Sequence, residues 1–348
     1  MPKLRLHILF EHSADLVPHG CAYIRDILPL NHASNRNLFE VTQGTEYIPA
    51  DVIVIERTWK PGFDMESAEE LVDRTRRDGT RLIYSIDDNL LDLQSIPTDM
   101  HMVIRYLCRQ ADGILVSTDF LKKRLEHLNS KVFLVPNAVD EQIFTDHGVR
   151  WTPHGLDNER KLIGYMGTFT HDGDLMMVLQ ALRATLRKHH PKVELQFVGG
   201  FSDADFVEYF QGLPVRVLKV PSQDVEYPRF IAWMKRNVNW HFGIAPLEDT
   251  YFNLSKSDIK FLDYSALGIP GIYSSVPSYD DTVHHLDTGY LAENTPDHWI
   301  DALERMLSDD LLRGKLASNA QEYVFSKRTL EQCARNWQEA IRAIVNRT

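Results

Sequence analysis

The stretch "WHFGIAPLEDTYFNLSKSDIKFLDYSALGIPGIYSS", residues 240–275, divides into an apolar run, a polar loop, an amphipathic segment closed by Gly268 and Pro270, and a second apolar run. Two short apolar runs joined by one helix-length amphipathic segment are the pattern of a βαβ unit, and such units build parallel sheets. The same alternation recurs on the N-terminal side in "KLIGYMG" (161–167), "ELQFVGG" (194–200) and "VRVLKVP" (215–221). Further back it appears in "LRLHILF" (4–10), "DVIVIER" (51–57), "RLIYSI" (81–86), "GILVST" (113–118) and "KVFLVPN" (131–137). Runs that are apolar almost throughout predict strands covered on both faces. Between them, "DMESAEELVDRTRRDG" predicts a helix stopped by Gly79, and "STDFLKKRLEHL" one with a Ser/Thr/Asp cap.

The rhythm lapses between Asp140 and Arg160, where the chain turns polar and is punctuated by Gly and Pro, which predicts a linker. The reading is an α/β fold of two Rossmann-like doubly wound domains facing across a cleft. Its boundaries are residues 1–145, a linker at 146–160, a second domain at 161–325, and a terminal helix at 326–348 that crosses back to the first. That helix carries Leu330, Cys333, Trp337, Ile341 and Ile344 on one stripe. Ligands of such sheets bind beyond the carboxyl ends of the strands, so function is sought there.

The chain has 348 residues, 43% hydrophobic and 25% charged, enough for two cores. Its formal net charge of −11 and pI near 5.7 argue against a protein whose affinity comes mainly from neutralising a phosphate backbone or an anionic bilayer. Cys21, Cys108 and Cys333 form no pair motif and read as free thiols. The sequence enters a strand at once, without the features of a leader, and no apolar run is long enough to span a bilayer. The expectation is a soluble cytoplasmic protein, with a peripheral contact at the inner membrane face left open and no stable nucleic-acid or transmembrane partner.

In residues 253–270, Asn253 and Ser255 are competent caps, so a helix starting there would carry Lys256, Lys260 and Asp263 on one side. A helix N-terminus favours anions, and Lys256 with Ser257 would add charge and a hydroxyl donor, which suits a diphosphate. Asp263, deeper along the helix, suits a ribose or sugar diol. The plain alternative is two lysines in solvent, with Lys260 paired to a neighbouring carboxylate such as Asp263 or Asp258. Asp87 and Asp88 follow a strand end, where they would bind acceptor hydroxyls or act as a base, unless they only cap a turn. His171 lies in a loop at another strand end, within reach of a phosphate. Aspartates one residue apart occur at Asp172/Asp174 and Asp203/Asp205, but helix capping explains the latter pair better, and no metal site is expected.

The segment "FLDYSALGIP" resembles the donor-binding element of retaining glycosyltransferase family 4, of the GT-B fold, in which two glutamates seven residues apart precede a small-residue–Gly-x-Pro ending. Asp263 falls at the second glutamate and Ser255 at the first, a departure. The "FN.SKS.IK" form is similar to a branch active in polysaccharide and antigen biosynthesis. "VSTDFLKKRL", "KVFLVPNAVDEQIF", "LIGYMGTFTHDGDL" and "DTGYLAENTPDHWIDALERMLSD" resemble the same family in the same order. "HGCAYIRDILPL" is like its first glycine-containing loop and helix, with Gly20 allowing close substrate approach and Arg25 available to an anion. Where the family carries an arginine and a lysine, this chain has Thr168, Phe169, Thr170 and His171, which leaves Lys256 and Lys260 to meet the diphosphate charge.

The resemblance implies a retaining glycosyltransferase that moves a sugar from a nucleotide diphosphate sugar to an acceptor hydroxyl. The acceptor would be a glycan, a lipid-linked saccharide or another hydroxyl compound. Lys256, Ser257, Lys260 and Asp263 would hold the donor with Gly167, Thr168 and His171 opposite, and the acceptor would lie near Gly20, Arg25, Asp87 and Asp88. The lysines and the helix end supply positive charge without a metal, and no cofactor is expected beyond the donor itself. A nucleotide-sugar epimerase of the same fold and a non-catalytic two-lobed binding protein are the competing readings. A nicotinamide-dependent dehydrogenase is disfavoured because neither first βα turn carries Gly-x-Gly-x-x-Gly.

Overall fold

The computed structural model describes residues 2–93, 95–153, 159–167, 172–199 and 208–346. Contacts divide the chain into two units. The first comprises Met1–Asp140, Ser255–Ser257 and Arg328–Thr348; the second comprises Glu141–Leu254 and Asp258–Lys327.

In the first unit the strands are β1 (Leu4–Leu9), β2 (Phe39–Gly44), β3 (Val52–Glu56), β4 (Arg81–Ile86), β5 (Gly113–Val116) and β6 (Val132–Leu134). They form one parallel sheet in the order β2-β1-β3-β4-β5-β6. The chain therefore reverses direction across the sheet between β1 and β3, the place where a parallel sheet opens a crevice. β3 and β4 are buried over almost their whole length because helices cover both faces. Met65–Asp78 is capped by the Asp64 side chain on the Ser67 N–H and ended by Gly79 at φ 69°, as the sequence predicts. On the other face, Leu330, Trp337, Ile341 and Ile344 of the terminal helix Leu330–Val345 pack with Leu6, Ile8, Val54 and Ile83. Gly113 permits this approach, since a Cβ there would lie 2.5 Å from Ile344 Cγ1.

The second unit opens with a helical turn, Glu141–Phe144, and a hairpin of β7 (Thr145–Asp146) with β8 (Val149–Arg150), inside the stretch read as a linker. Its sheet holds β9 (Lys161–Met166), β10 (Val193–Val198), β11 (Val215–Leu218), β12 (Phe242–Ala245), β13 (Gly271–Ser274) and β14 (Tyr290–Ala292). The order β11-β10-β9-β12-β13-β14 is parallel throughout, so its switch point lies between β9 and β12. Trp240 and Phe242 are fully buried, and Trp240 lies against Gly164 of β9, where any Cβ would overlap the indole. Among the described residues no helix is long and apolar enough to cross a membrane.

Candidate functional site

The carboxyl ends of β1, β3 and β4 bring charged side chains together at the first unit's switch point. Glu56, the last residue of β3, accepts the Glu11 N–H on Oε2 at 2.7 Å. Arg57 follows at φ 48°, a left-handed conformation that costs an L-residue about 1–3 kcal/mol and is held by its surroundings. From there its guanidinium reaches Glu11 at 3.3 Å and both Asp87 and Asp88 at 3.5 Å. Lys256 completes the group at 3.2 Å from Asp88.

These neighbours separate the carboxyl groups electrostatically. Burial opposes ionisation of Glu11, but the His19 hydrogen bond, the Arg57 charge and the Thr58 hydroxyl outweigh it and bring its pKa down to about 2. Glu56 moves the other way, well above the carboxylate range, because it is buried beside ionised Glu11. Burial also raises Asp87, against the pull of Arg57. Glu11, Glu56 and the Cys21 thiol bring ligand atoms within 4.8 Å of one another, but Arg57 already supplies a positive charge 3.6 Å from Cys21 Sγ.

The helical reading of Lys256 is corrected by the structure. The helix runs Ile259–Ala266 with Asp258 at its N-cap, so Lys260 and Asp263 lie on it and Lys256 precedes it. Ser255, expected to cap it, is engaged elsewhere: its Oγ accepts the Asn89 N–H at 3.1 Å, and its carbonyl accepts from the Thr118 hydroxyl at 3.1 Å. Ser257 Oγ accepts from Asn137 Nδ2 at 2.8 Å. These bonds fix residues 255–257 to the first unit. The helix ends as expected, with Gly268 at φ 60° and the Ile269 N–H bonded to the Tyr264 carbonyl.

In the second unit, Asp263 is 4% exposed and accepts the Tyr227 hydroxyl on Oδ1 at 2.6 Å. Burial raises its pKa to about 7, a shift that Tyr227 opposes. Lys260 is buried, with Nζ 5.2 Å from the centroid of the Tyr165 ring. Gly167 follows β9, where a Cβ would meet the Tyr165 hydroxyl at 2.4 Å. Gly199 follows β10 at φ 108°, and a Cβ there would meet the Gly167 carbonyl at 1.9 Å. Bare backbone is therefore required at both strand ends. Asp174 is a structural residue whose Oδ1 accepts the Glu248 N–H at 2.7 Å. Thr168, Phe169, Thr170, His171, Asp203 and Asp205 lie outside the described residues.

Gly20 is exposed, with open space at its Cβ position, so local packing does not demand a glycine. Arg25 differs from its expected availability: it is 1% exposed and donates from Nη1 to the Val135 carbonyl at 2.6 Å and Asn137 Oδ1 at 2.7 Å. Its helix contains a π-turn, Tyr23–Ile27, which turns both Arg25 and Asp26 inward. The Arg25 carbonyl, whose partner four residues on is Pro29 with no N–H to donate, accepts instead from Trp337 Nε1 at 2.9 Å. Sequence reasoning passed over Glu11, Asp26, Glu56, Arg57 and Tyr227. The charged pair closing "VIVIER" was the available signal, since polar residues directly after a buried strand sit at its carboxyl end.

Two Rossmann-like parallel-sheet units with these strand orders define the GT-B class of fold. Residues 160–309 match the family model of glycosyl transferases group 1. No curated protein sequence matches the chain. Among solved structures, HepE of Anabaena, determined with UDP and glucose, superposes with a TM-score of 0.68 at 12% identity, covering 98% of this chain and 100% of HepE. A glycosyltransferase of Rickettsia africae gives 0.65 at 13% identity, with 100% of both chains covered. TarM gives 0.60 at 16% identity over 85% of this chain, which spans about half, 55%, of TarM.

Proposed function

We propose that the chain is a glycosyltransferase of the GT-B fold that moves a sugar from a nucleotide diphosphate donor to an acceptor hydroxyl, with retention and without a metal. The observation that carries this reading is the family match over residues 160–309, which falls on the unit that contains Gly167, Lys260 and Asp263. HepE with UDP and glucose on the same fold supports a nucleotide sugar as donor.

On this reading, backbone at Gly167 approaches the diphosphate and Lys260 offsets its charge as the bond to the sugar breaks. Asp263, oriented by Tyr227, holds a diol of the donor. In the first unit Asp87 and Asp88 orient the acceptor hydroxyl, and Asp87 takes its proton as the new glycosidic bond forms. Arg57 and Lys256 keep the two aspartates apart and fixed. The acceptor is a glycan, a lipid-linked saccharide or another hydroxyl compound, handled in the cytoplasm.

A thermal-shift panel of nucleotide sugars, run with and without a chelator, tests the donor half, because a ligand selective for the folded state raises its stability. One nucleotide class should stabilise the chain equally in both conditions. Stabilisation abolished by the chelator would remove metal independence, and no stabilisation by any nucleotide sugar would remove the reading. Product analysis without acceptor separates transfer from epimerisation, since an epimerase converts the donor alone.

A further inference from the structure

Beneath the Arg57 cluster the fold buries six side-chain polar atoms that make no hydrogen bond among the described residues. They are Arg25 Nε and Nη2, both oxygens of Asp26, Glu56 Oε1 and Ser85 Oγ. Arg25, Asp26, Glu56 and Ser85 are each no more than 1% exposed. Their positions converge: Arg25 and Asp26 share the π-turn, and Glu56 is the direct partner of Ser85 across β3 and β4. Arg25 feels Asp26 and Asp87 electrostatically, while Asp26 feels Arg25, the Ser85 hydroxyl and Asp87. Apart from the Ser85 hydroxyl acting on Asp26, donors and acceptors are gathered in one place without satisfying one another. Native proteins fill such places with ordered water making several bonds each.

We propose that Arg25, Asp26, Glu56 and Ser85 hold a small group of ordered waters joining the Asp26 carboxyl to Asp87, so that Asp26 stores the proton Asp87 removes from the acceptor. The storage role rests on the transferase reading; the water-linked pair does not. In the transfer step the acceptor O–H bond breaks and its oxygen bonds to the anomeric carbon. The bond from that carbon to the diphosphate breaks, and the diphosphate leaves with the electron pair. The proton moves to the Asp87 carboxylate and through water to Asp26, which becomes neutral beside Arg25. Burial raises Asp26 to about 7, against the pull of Arg25, so it can both accept and release a proton near neutrality. Asp26 is a positioning residue here, since it acts on the acceptor only through Asp87.

Two measurements test this. In the folded, ligand-free chain carrying ¹³C-labelled aspartate, the Asp26 signal, assigned with Asp26→Asn, should titrate near 7 and move to lower pH in Asp87→Asn. A titration in the ordinary aspartate range, or one indifferent to Asp87→Asn, would overturn the link. In transfer assays Asp26→Asn should lower kcat about 10-fold or more, leave the donor KM unchanged and abolish the limb of the kcat profile near neutral pH. Ser85→Ala, which removes a hydroxyl that lowers Asp26, should move that limb to higher pH and serves if Asp26→Asn does not fold. An active wild type whose profile is unaltered by either substitution would sink the storage role. A wild type that transfers no sugar would count against the transferase reading, while the carbon titration still decides whether Asp26 and Asp87 are linked.

Discussion

The ammonium of Lys256 lies 3.2 Å from the Asp88 carboxylate, with side chains only 16% and 20% exposed. Asp88 is also held by Arg57 at 3.5 Å, so one carboxylate joins two cations within the first unit. A pair this sheltered is screened less than a surface ion pair. A double-mutant cycle of Lys256→Ala and Asp88→Asn, followed by urea unfolding, should return a coupling energy of about 1 kcal/mol. Additive single effects would mean that the pair contributes nothing.

Lys256 and Lys260 should behave differently toward donor, because they belong to different units. Lys260→Ala is expected to abolish the thermal shift given by a nucleotide diphosphate, which amounts to about 2.7 kcal/mol at a hundredfold excess over Kd. Lys256→Ala is expected to retain most of it and to lose transfer rate instead. An undiminished shift in Lys260→Ala removes that lysine from the donor site.

The pH dependence of stability follows from carboxyl groups displaced in opposite directions. Asp26 and Asp263 are raised from 3.8 to about 7, so between those values the folded state binds more protons than the unfolded state and stability falls as pH rises. A displacement of that size corresponds to about 4 kcal/mol per group as an upper bound. Glu11 is lowered from 4.5 to about 2, so its contribution is present above the unfolded value and is lost as pH drops through the folded one. Melting temperature should therefore peak at mildly acidic pH, and Asp263→Asn should flatten the decline toward pH 7. A wild-type profile that rises from pH 4 to 7 would contradict this.

Gly113→Ala should destabilise the first unit by about 1–3 kcal/mol, since its Cβ would lie 2.5 Å from Ile344 and the terminal helix must shift to admit it. Chemical denaturation with a probe on that helix measures the effect. A stability equal to wild type would mean that the helix slides without cost.

How much could be read in advance depended on how strongly each segment is patterned. "RLIYSI" is apolar enough that β4 coincides with its run. β2, "FEVTQG", alternates with polar residues along a sheet edge, and β14 is three residues long, so neither stood out. The helix over Lys256 was misread because a capping serine is recognised by type, whereas Ser255 spends its hydroxyl on a bond to Asn89, far away in sequence. Arg25 and Asp26 were hidden for another reason: charged residues read as the solvent face of a helix, and the π-turn that carries both inward leaves no compositional mark.

The bond from Trp337 to the Arg25 carbonyl has a consequence for biosynthesis. A ribosome that has released only residues 1–140 has released a sheet with one face only partly covered and a π-turn whose carbonyl has no indole to meet. The entire second unit must emerge before the covering helix does. The first half of the chain therefore matures last, and the nascent protein must keep that face from aggregating through most of its own synthesis.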